Sequence, residues 1–282
     1  MSRSQVRLTG FRYHPAVGGA EQHARRMLRE IGQRLEIDVV TLLTSNRTDW
    51  LDALIDGARD ADEDYEVDGR SVRALARWPS PVRRRLRRLA PFYHLPGSPV
   101  PSLMGRILEP ELAGVAAGTS LIHNVFMGRE AFSLGLLLAA RHAGRRFVFT
   151  PLRHARPLGW SSPAFRELYR SADALVALTE NEASWLQAHG ADRARIEVIG
   201  IGPLSDPAAS EEPARRLVAE ETIVLFVGQL HAYKGYRAVI AAARSFEQRK
   251  DVRFVFIGPD VRGHARLRRR GAERDLLEDR VR

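Results

Sequence analysis

The sequence predicts an α/β protein of two parallel-sheet domains, the second of them incomplete. Three observations carry that prediction. Short apolar, β-branched runs alternate with stretches of helical period, the order that a parallel sheet with helical crossovers requires. Two of those runs pass into glycine loops that open helices, at Gly18-Gly19 and at Gly228 to Gly235. Beyond Gly202-Pro203 only one strand–helix–strand unit is legible before an arginine-rich tail, too little for a doubly wound domain. The chain has 282 residues, 44% hydrophobic and 28% charged, which suits one large or two smaller folded domains.

Composition also excludes several chemistries. Cysteine is absent, so disulfides, thiolate metal sites and a cysteine nucleophile are ruled out. No apolar run approaches the roughly 20 residues that span a bilayer; the best is Ala131 to Ala140. The start, Met1-Ser2-Arg3-Ser4-Gln5, has no apolar signal segment, and a cytoplasmic location is expected. Formal net charge is +10, yet Lys234 and Lys250 are the only lysines among 44 basic residues. Part of the basicity is therefore compositional, and each lysine stands out against the arginine background.

The elements follow in order. Gln5 to Thr9 reads as a strand, and Ala24, Met27, Leu28, Ile31 and Leu35 place one apolar face on a helix starting near Ala20. Ile37 to Leu43 suits a buried parallel strand. Thr44 to Asp68 reads as a polar, acidic stretch, with a strand pair over Val67 to Leu75 turning at Asp68-Gly69. Pro79 to Pro101 holds six prolines and the run Arg83-Arg84-Arg85-Leu86-Arg87-Arg88, and regular structure is expected to resume only at the strand Leu121 to Val125. A helix over Arg129 to Ala143 and a strand over Arg146 to Thr150 come next. Ser162-Pro163 supplies an N-cap and a first-turn proline for a helix burying Phe165, Leu168 and Tyr169. After the strand Ala174 to Leu178, Thr179 with Glu182 forms a capping-box pattern, and Gly190 a helix stop. Ile196 to Ile199 is the last strand of the first domain. Ser205 to Pro213 reads as a linker. Thr222 to Val227, a helix bearing Val239, Ile240, Ala243 and Phe246, and Val252 to Ile257 then form one βαβ unit.

Ligands of open α/β sheets bind where strands end and helices begin. The Gly18-Gly19 loop opens a helix whose free N–H groups favour an anion or a sugar hydroxyl, and equally fits a tight turn needing positive φ. Glu21, in the first turn, reads as compensation of the helix dipole. Gly228-Gln229 through Lys234-Gly235 has the same setting, with a lysine placed to neutralise a diphosphate. His154 and the pair His123-Asn124 lie near strand ends, where a structural histidine is the commoner reading. Neither GxGxxG nor GxxxxGK[ST] occurs, which argues against nicotinamide and P-loop chemistry. No HExxH or comparable spacing supports a metal, and no GxSxG a hydrolase.

Several blocks then fall into one order: Pro15-Ala16-Val17-Gly18-Gly19-Ala20-Glu21, Leu121-Ile122-His123, Phe149-Thr150-Pro151 with His154, Ala172 to Thr179, Val198 to Gly202, Phe226 to Leu230 with Lys234-Gly235, and Phe256-Ile257-Gly258. In them the chain resembles retaining glycosyltransferases of family 4 (glycosyl transferases group 1), whose GT-B fold has two facing Rossmann-like domains. The resemblance implies residues 1–204 as an acceptor-side domain and 205–282 as a partial nucleotide-sugar-binding domain. It implies transfer of a sugar from a nucleotide sugar to a glycan, lipid-linked or small acceptor, with retention and with neither cofactor nor obligatory metal. Carried over by residue, His154 would contact the transferred sugar. Lys234, with Gly228, Gln229 and Gly235, would hold the donor diphosphate, and Gly18-Gly19 would approach donor or acceptor, all facing one cleft.

Two departures accompany the resemblance. Gln229 stands where the family often has arginine, keeping hydrogen bonding without charge. The family's two glutamates separated by seven residues are matched in spacing by Glu212 and Glu220, but these precede the strand at Thr222, and the match is read as accidental. The motif is expected beyond Arg282, which would make these residues a fragment, poorly soluble and inactive until extended by roughly a hundred residues. The arginine run, Arg83, Arg84, Arg85, Arg87 and Arg88, reads equally as a solvated face arising from the compositional bias and as a patch facing an anionic membrane at its inner face. The competing reading is a non-catalytic binder of nucleic acid or an anionic surface, supported by Arg266 and Arg268-Arg269-Arg270; no nucleic-acid signature or interleaved aromatic supports it.

Overall fold

In this computed structural model the first unit carries eight strands and eight helices among the residues it describes, which are 5–47, 49–154, 159–202, 222–230, 234–249 and 251–258. In chain order they are β1 (Gln5–Arg12), α1 (Gly19–Ile31), β2 (Glu36–Leu43), α2 (Trp50–Asp56), β3 (Glu63–Val67), β4 (Arg70–Ala74), α3 (Ser80–Leu89) and α4 (Val100–Leu108). Then come α5 (Ala113–Ala116), β5 (Leu121–Val125), α6 (Glu130–His142), β6 (Arg146–Thr150), α7 (Pro163–Ser171), β7 (Ala174–Ala177), α8 (Glu180–Ala188) and β8 (Ile196–Val198). The sheet runs β3-β4-β2-β1-β5-β6-β7-β8, parallel throughout except for the β3–β4 hairpin. Without the hairpin's outer strand this is the doubly wound order, and the chain reverses direction across the sheet between β1 and β5.

A parallel sheet must be covered on both faces. One face buries Leu8, Val39 and Val125 beneath Ala24 and Leu28 of α1. The other carries the larger core, in which Ile122, Phe147 and Phe149 meet Met104 and Leu108 of α4 and Leu134 and Leu137 of α6. Helix α6 is buried on nearly every side, which accounts for the apolar run Ala131 to Ala140 without a bilayer. Close packing of α4 on α6 depends on two glycines. A Cβ at Gly135 would lie 3.1 Å from Gly105 O, and one at Gly105 would lie 3.0 Å from Leu134.

Three expectations need correction. The acidic stretch 44–68, to which the sequence reading assigns no element before Val67, holds α2, which buries Ala53, Leu54 and Ile55, and the hairpin begins already at Glu63. Pro79 to Pro101 is largely helical. Val82, Leu86 and Leu89 set the inner side of α3, and Val100, Met104 and Leu108 that of α4. Pro81 and Pro101 sit in the first turns of α3 and α4, where a missing N–H costs no helical bond, and Pro79 and Pro99 are the residues just before them. The arginine run also divides: Arg84, Arg85, Arg87 and Arg88 are exposed, whereas Arg83 is half-buried.

The chain divides into two units, Met1–Leu204 and Ser205–Arg282. In the second, β9 (Thr222–Val227) pairs in parallel with β10 (Val252–Ile257), and α9 (Tyr236–Arg244) connects them. Ile240 and Ala243 of α9, with Val252 and Phe254, form its buried side. Ile223, Leu225, Val227 and Ile257 are exposed. The linker Ser205 to Pro213, Glu212, Glu220, Arg266 and Arg268 to Arg270 lie outside the described residues.

Candidate active site

The candidate site lies at the carboxyl edge of the eight-stranded sheet, where the β1 and β5 loops diverge. The β1 loop leads through Gly18 into α1. Gly18 is extended, with φ −168°, so the positive-φ reading of this turn is wrong. Space is what requires glycine there. A Cβ would lie 2.5 Å from Glu21 Oε2 and 3.0 Å from Arg12 Nη2. Beneath it, Arg12 Nε donates to Glu21 Oε1, and these side chains are only 9% and 4% exposed. Glu21 is therefore half of a buried ion pair rather than an exposed dipole residue. Arg12 also stacks 4.9 Å from the Trp50 ring and donates to Arg47 O at 3.3 Å. Removing one partner of such a pair leaves a buried charge uncompensated. Gly19 differs from its neighbour: a Cβ there would meet nothing within 4 Å, so the space above it is open.

The β6 loop holds His154. Leu152, two residues earlier, is buried with φ +51°, a left-handed conformation that a non-glycine residue seldom adopts. A buried carboxylate holds this turn. Glu182, 6% exposed, accepts from Arg153 N at 2.8 Å through Oε1 and from Leu178 N at 2.7 Å through Oε2. Thr179 accepts from Glu182 N at 3.1 Å, the first half of the expected capping box; the returning half is displaced onto Leu178 N. One side chain thus ties the β6 and β7 loops together. The Arg153 guanidinium stacks 4.3 Å from Trp185, and the exposed His154 ring meets Trp160 edge-on, with centroids 6.2 Å apart. Trp160 in turn packs on Phe126 and Phe165 at 5.2 and 5.0 Å, which gives the β5 and β6 loops a common aromatic wall.

His123 and Asn124 lie inside the sheet. His123 Nε2 shares a 2.8 Å hydrogen bond with Thr150 Oγ1, and burial, helped by neighbouring His23, lowers its pKa to about 4. Asn124 Nδ2 donates to Thr9 Oγ1 at 3.0 Å. Both are structural. At the N-terminus of α6, Glu130 accepts from Tyr93 Oη at 3.0 Å and Ser162 Oγ at 3.1 Å, which fixes the entry to α7 beside the His154 loop.

In the second unit, Gly228 follows β9 and donates its N–H to Ile257 O at 2.8 Å. Gly258, at the end of β10, could carry no Cβ without striking the Gly228 carbonyl. Gln229 is half-buried and Lys234 exposed. Gly235 has φ +83° and caps α9, a conformation that calls for glycine. Among the described residues no group of three His, Asp or Glu is placed to hold a metal ion.

Arg12, Trp160 and Glu182 were not anticipated as site residues. Glu182 alone left a sequence signal, its position three residues after Thr179, and that signal indicated a cap rather than a clamp on a neighbouring loop.

Residues 18–202 match the family model described as a glycosyl transferase 4-like domain. No curated protein sequence matches the chain. Among solved structures, HepE of Anabaena in complex with UDP and glucose aligns over 99% of this chain and 68% of its own, with 16% identity and a TM-score of 0.64. Sucrose-phosphate synthase of Thermosynechococcus elongatus aligns over 99% and 70%, with 15% identity and a TM-score of 0.59. The lipopolysaccharide outer core galactosyltransferase WaaB aligns over 99% and 67%, with 14% identity and a TM-score of 0.52.

Proposed function

This chain belongs to the family of glycosyl transferase 4-like domains, with an α/β fold of the GT-B type, and we propose from that premise that it moves a sugar from a nucleotide sugar to an acceptor with retention of anomeric configuration. The observation that carries this reading is the open space over Gly19 at the strand-order reversal, on the same sheet edge as His154. Sugar transfer requires that negative charge on the departing diphosphate be stabilised while the glycosidic bond breaks. Lys234, beside the glycines that follow β9, supplies a cation and close backbone approach for that diphosphate. The first turn of α1 offers N–H groups to substrate oxygens, and His154 touches the transferred sugar. A UDP-sugar is the donor to try first, since HepE was solved with UDP and glucose.

The acceptor is a glycan, lipid-linked or small molecule. The four exposed arginines of α3, followed by exposed Phe92 and Leu95, support contact with an anionic membrane from the cytoplasmic side. Incubating the purified chain with isotopically labelled UDP-sugars and lipid or glycan extracts tests the function. Labelled product bearing the donor's anomeric configuration supports it. Inverted product would overturn retention, and transfer undiminished in Lys234→Ala and His154→Ala variants would overturn the assignment of the site.

A further inference from the structure

A cavity on the first unit is lined by residues that the candidate site does not use. It occupies about 270 Å³ where the end of α2, the segment 57–60 and the start of α3 meet. Arg59, Arg77, Arg83 and Arg87 line it together with Asp56 and Asp60. Asp56, Asp60 and, beside the lining, Glu63 answer three of the four guanidinium groups, which leaves one positive charge, on Arg83. We infer that this pocket binds an acid group of the acceptor, and that a phosphate, whose oxygens match the guanidinium fork of Arg83, is the chemistry it fits.

The bonding around the pocket shows which charges remain to be answered. Both carboxylates are taken: Arg87 Nη2 lies 2.5 Å from Asp56 Oδ1, and Arg77 pairs closely with Asp60. Arg59 spans Leu42 O at 3.3 Å and Thr44 Oγ1 at 2.8 Å, with Glu63 at 3.3 Å. Arg83 has no carboxylate. Its Nη2 donates to the neutral Ser80 Oγ at 3.2 Å, and its Nε is buried without a hydrogen-bond partner. A buried N–H left unsatisfied is costly, and on a guanidinium it points to an anion as the missing partner. The planar fork of arginine matches a phosphate's oxygens two at a time. Helix α3 begins three residues before Arg83, and no side chain caps its N-terminal N–H groups, so its dipole adds to the same field.

The pocket is also wired to the candidate site. Arg12 donates to Arg47 O at 3.3 Å, and Arg47 Nη1 donates to Gly57 O at 3.2 Å, so hydrogen bonds run from the ion pair under Gly18 to the pocket wall. Segment 75–79 follows β4, whose carboxyl end lies at that edge, and segment 57–60 leads into β3, which starts at the same edge because it runs antiparallel to β4. An acceptor anchored by a phosphate here extends along the sheet edge towards Gly19. That placement of the acceptor rests on the transfer reading; the phosphate site itself does not.

The test titrates the whole chain with inorganic phosphate by calorimetry, at about pH 8, where a phosphate group carries close to two charges. UDP is present throughout to occupy a diphosphate site. Loss of a charge-assisted hydrogen bond predicts phosphate affinity at least about tenfold weaker in Arg83→Gln. Arg83→Lys, which keeps the charge and loses the fork, should fall between the two. Arg85→Gln, outside the pocket, should match the unsubstituted chain. Phosphate binding that ignores Arg83→Gln and Arg83→Lys, or that weakens equally in Arg85→Gln, overturns the site. A vesicle arm identifies the source of the group. A preference for phosphatidic acid over phosphatidylglycerol that Arg83→Gln abolishes assigns it to a lipid headgroup. Phosphate affinity lost without any change on vesicles assigns it to a soluble phosphorylated acceptor. Phosphate binding by a chain that takes up no nucleotide would sink the transfer reading and leave this pocket standing.

Discussion

Glu182 accepts from two loops at once, so its removal reaches His154 through the backbone. Glu182→Ala leaves the N–H groups of Arg153 and Leu178 without their acceptor, at about 1–3 kcal/mol each. Glu182→Gln retains one acceptor oxygen and turns an amide N–H₂ towards the other donor, so it should lose stability and, well below its melting temperature, kcat as well. Glu182→Asp keeps both oxygens and should recover part of kcat. A Glu182→Gln protein that melts earlier but turns over normally would remove Glu182 from the positioning of His154.

His123 makes a second prediction at the residue scale, with a definite sign. Its folded pKa, about 4, lies below the ordinary value of 6.5, so the folded state resists protonation. Its contribution to stability is present above pH 6.5 and is lost as pH falls towards 4, by about 2 kcal/mol between pH 7 and pH 5. Urea unfolding at those two pH values should show a smaller loss in His123→Gln than in the unsubstituted chain. An equal loss would mean that other groups set the acid response.

At the scale of elements, the two glycines that open α1 separate structure from ligand. Gly18→Ala forces a Cβ against the buried Arg12–Glu21 pair and should destabilise by about 1–3 kcal/mol, through displacement of the pair rather than backbone strain. Gly19→Ala meets nothing in the free protein and, within the first turn of a helix, should be neutral or stabilising by up to about 1 kcal/mol. If substrate approaches Gly19, that same variant should raise KM. Thermal melts and KM values for the pair decide it, and a destabilised Gly19→Ala would show that the space over it is not free.

Elements also show how far the sequence could be read. Strands and helices from Leu121 to Val198 were legible because each carried a clean apolar period and a recognisable cap, as at Ser162 and Thr179. Helices α3 and α4 carried the period too, in Val82, Leu86 and Leu89 and in Val100, Met104 and Leu108. Their prolines masked it, although proline in a first turn starts a helix rather than breaking it. Of the site, Gly18-Gly19 and His154 were legible from their places after strands. The Arg12–Glu21 pair and the Glu182 clamp were not, since both depend on which loops the fold brings together.

For the whole molecule, charge and chain organisation govern what can be tested. Net charge is +10, and α3 exposes Arg84, Arg85, Arg87 and Arg88 beside Phe92 and Leu95. Replacing Arg84, Arg85 and Arg88 by Ser should reduce cosedimentation with anionic vesicles by an amount that shrinks as salt rises, because the Debye length is only about 8 Å at physiological ionic strength. Indifference to both salt and substitution would return these arginines to background composition. The donor is proposed to be a nucleotide sugar with its diphosphate held by Lys234. Calorimetric titration of the chain with UDP measures that most directly. Saturable binding is expected, weakened at least about tenfold in Lys234→Ala, the loss for one charge-assisted contact, and intact in Arg85→Ser. Saturable UDP binding unchanged in Lys234→Ala, or no binding of UDP, ADP or GDP, would contradict it.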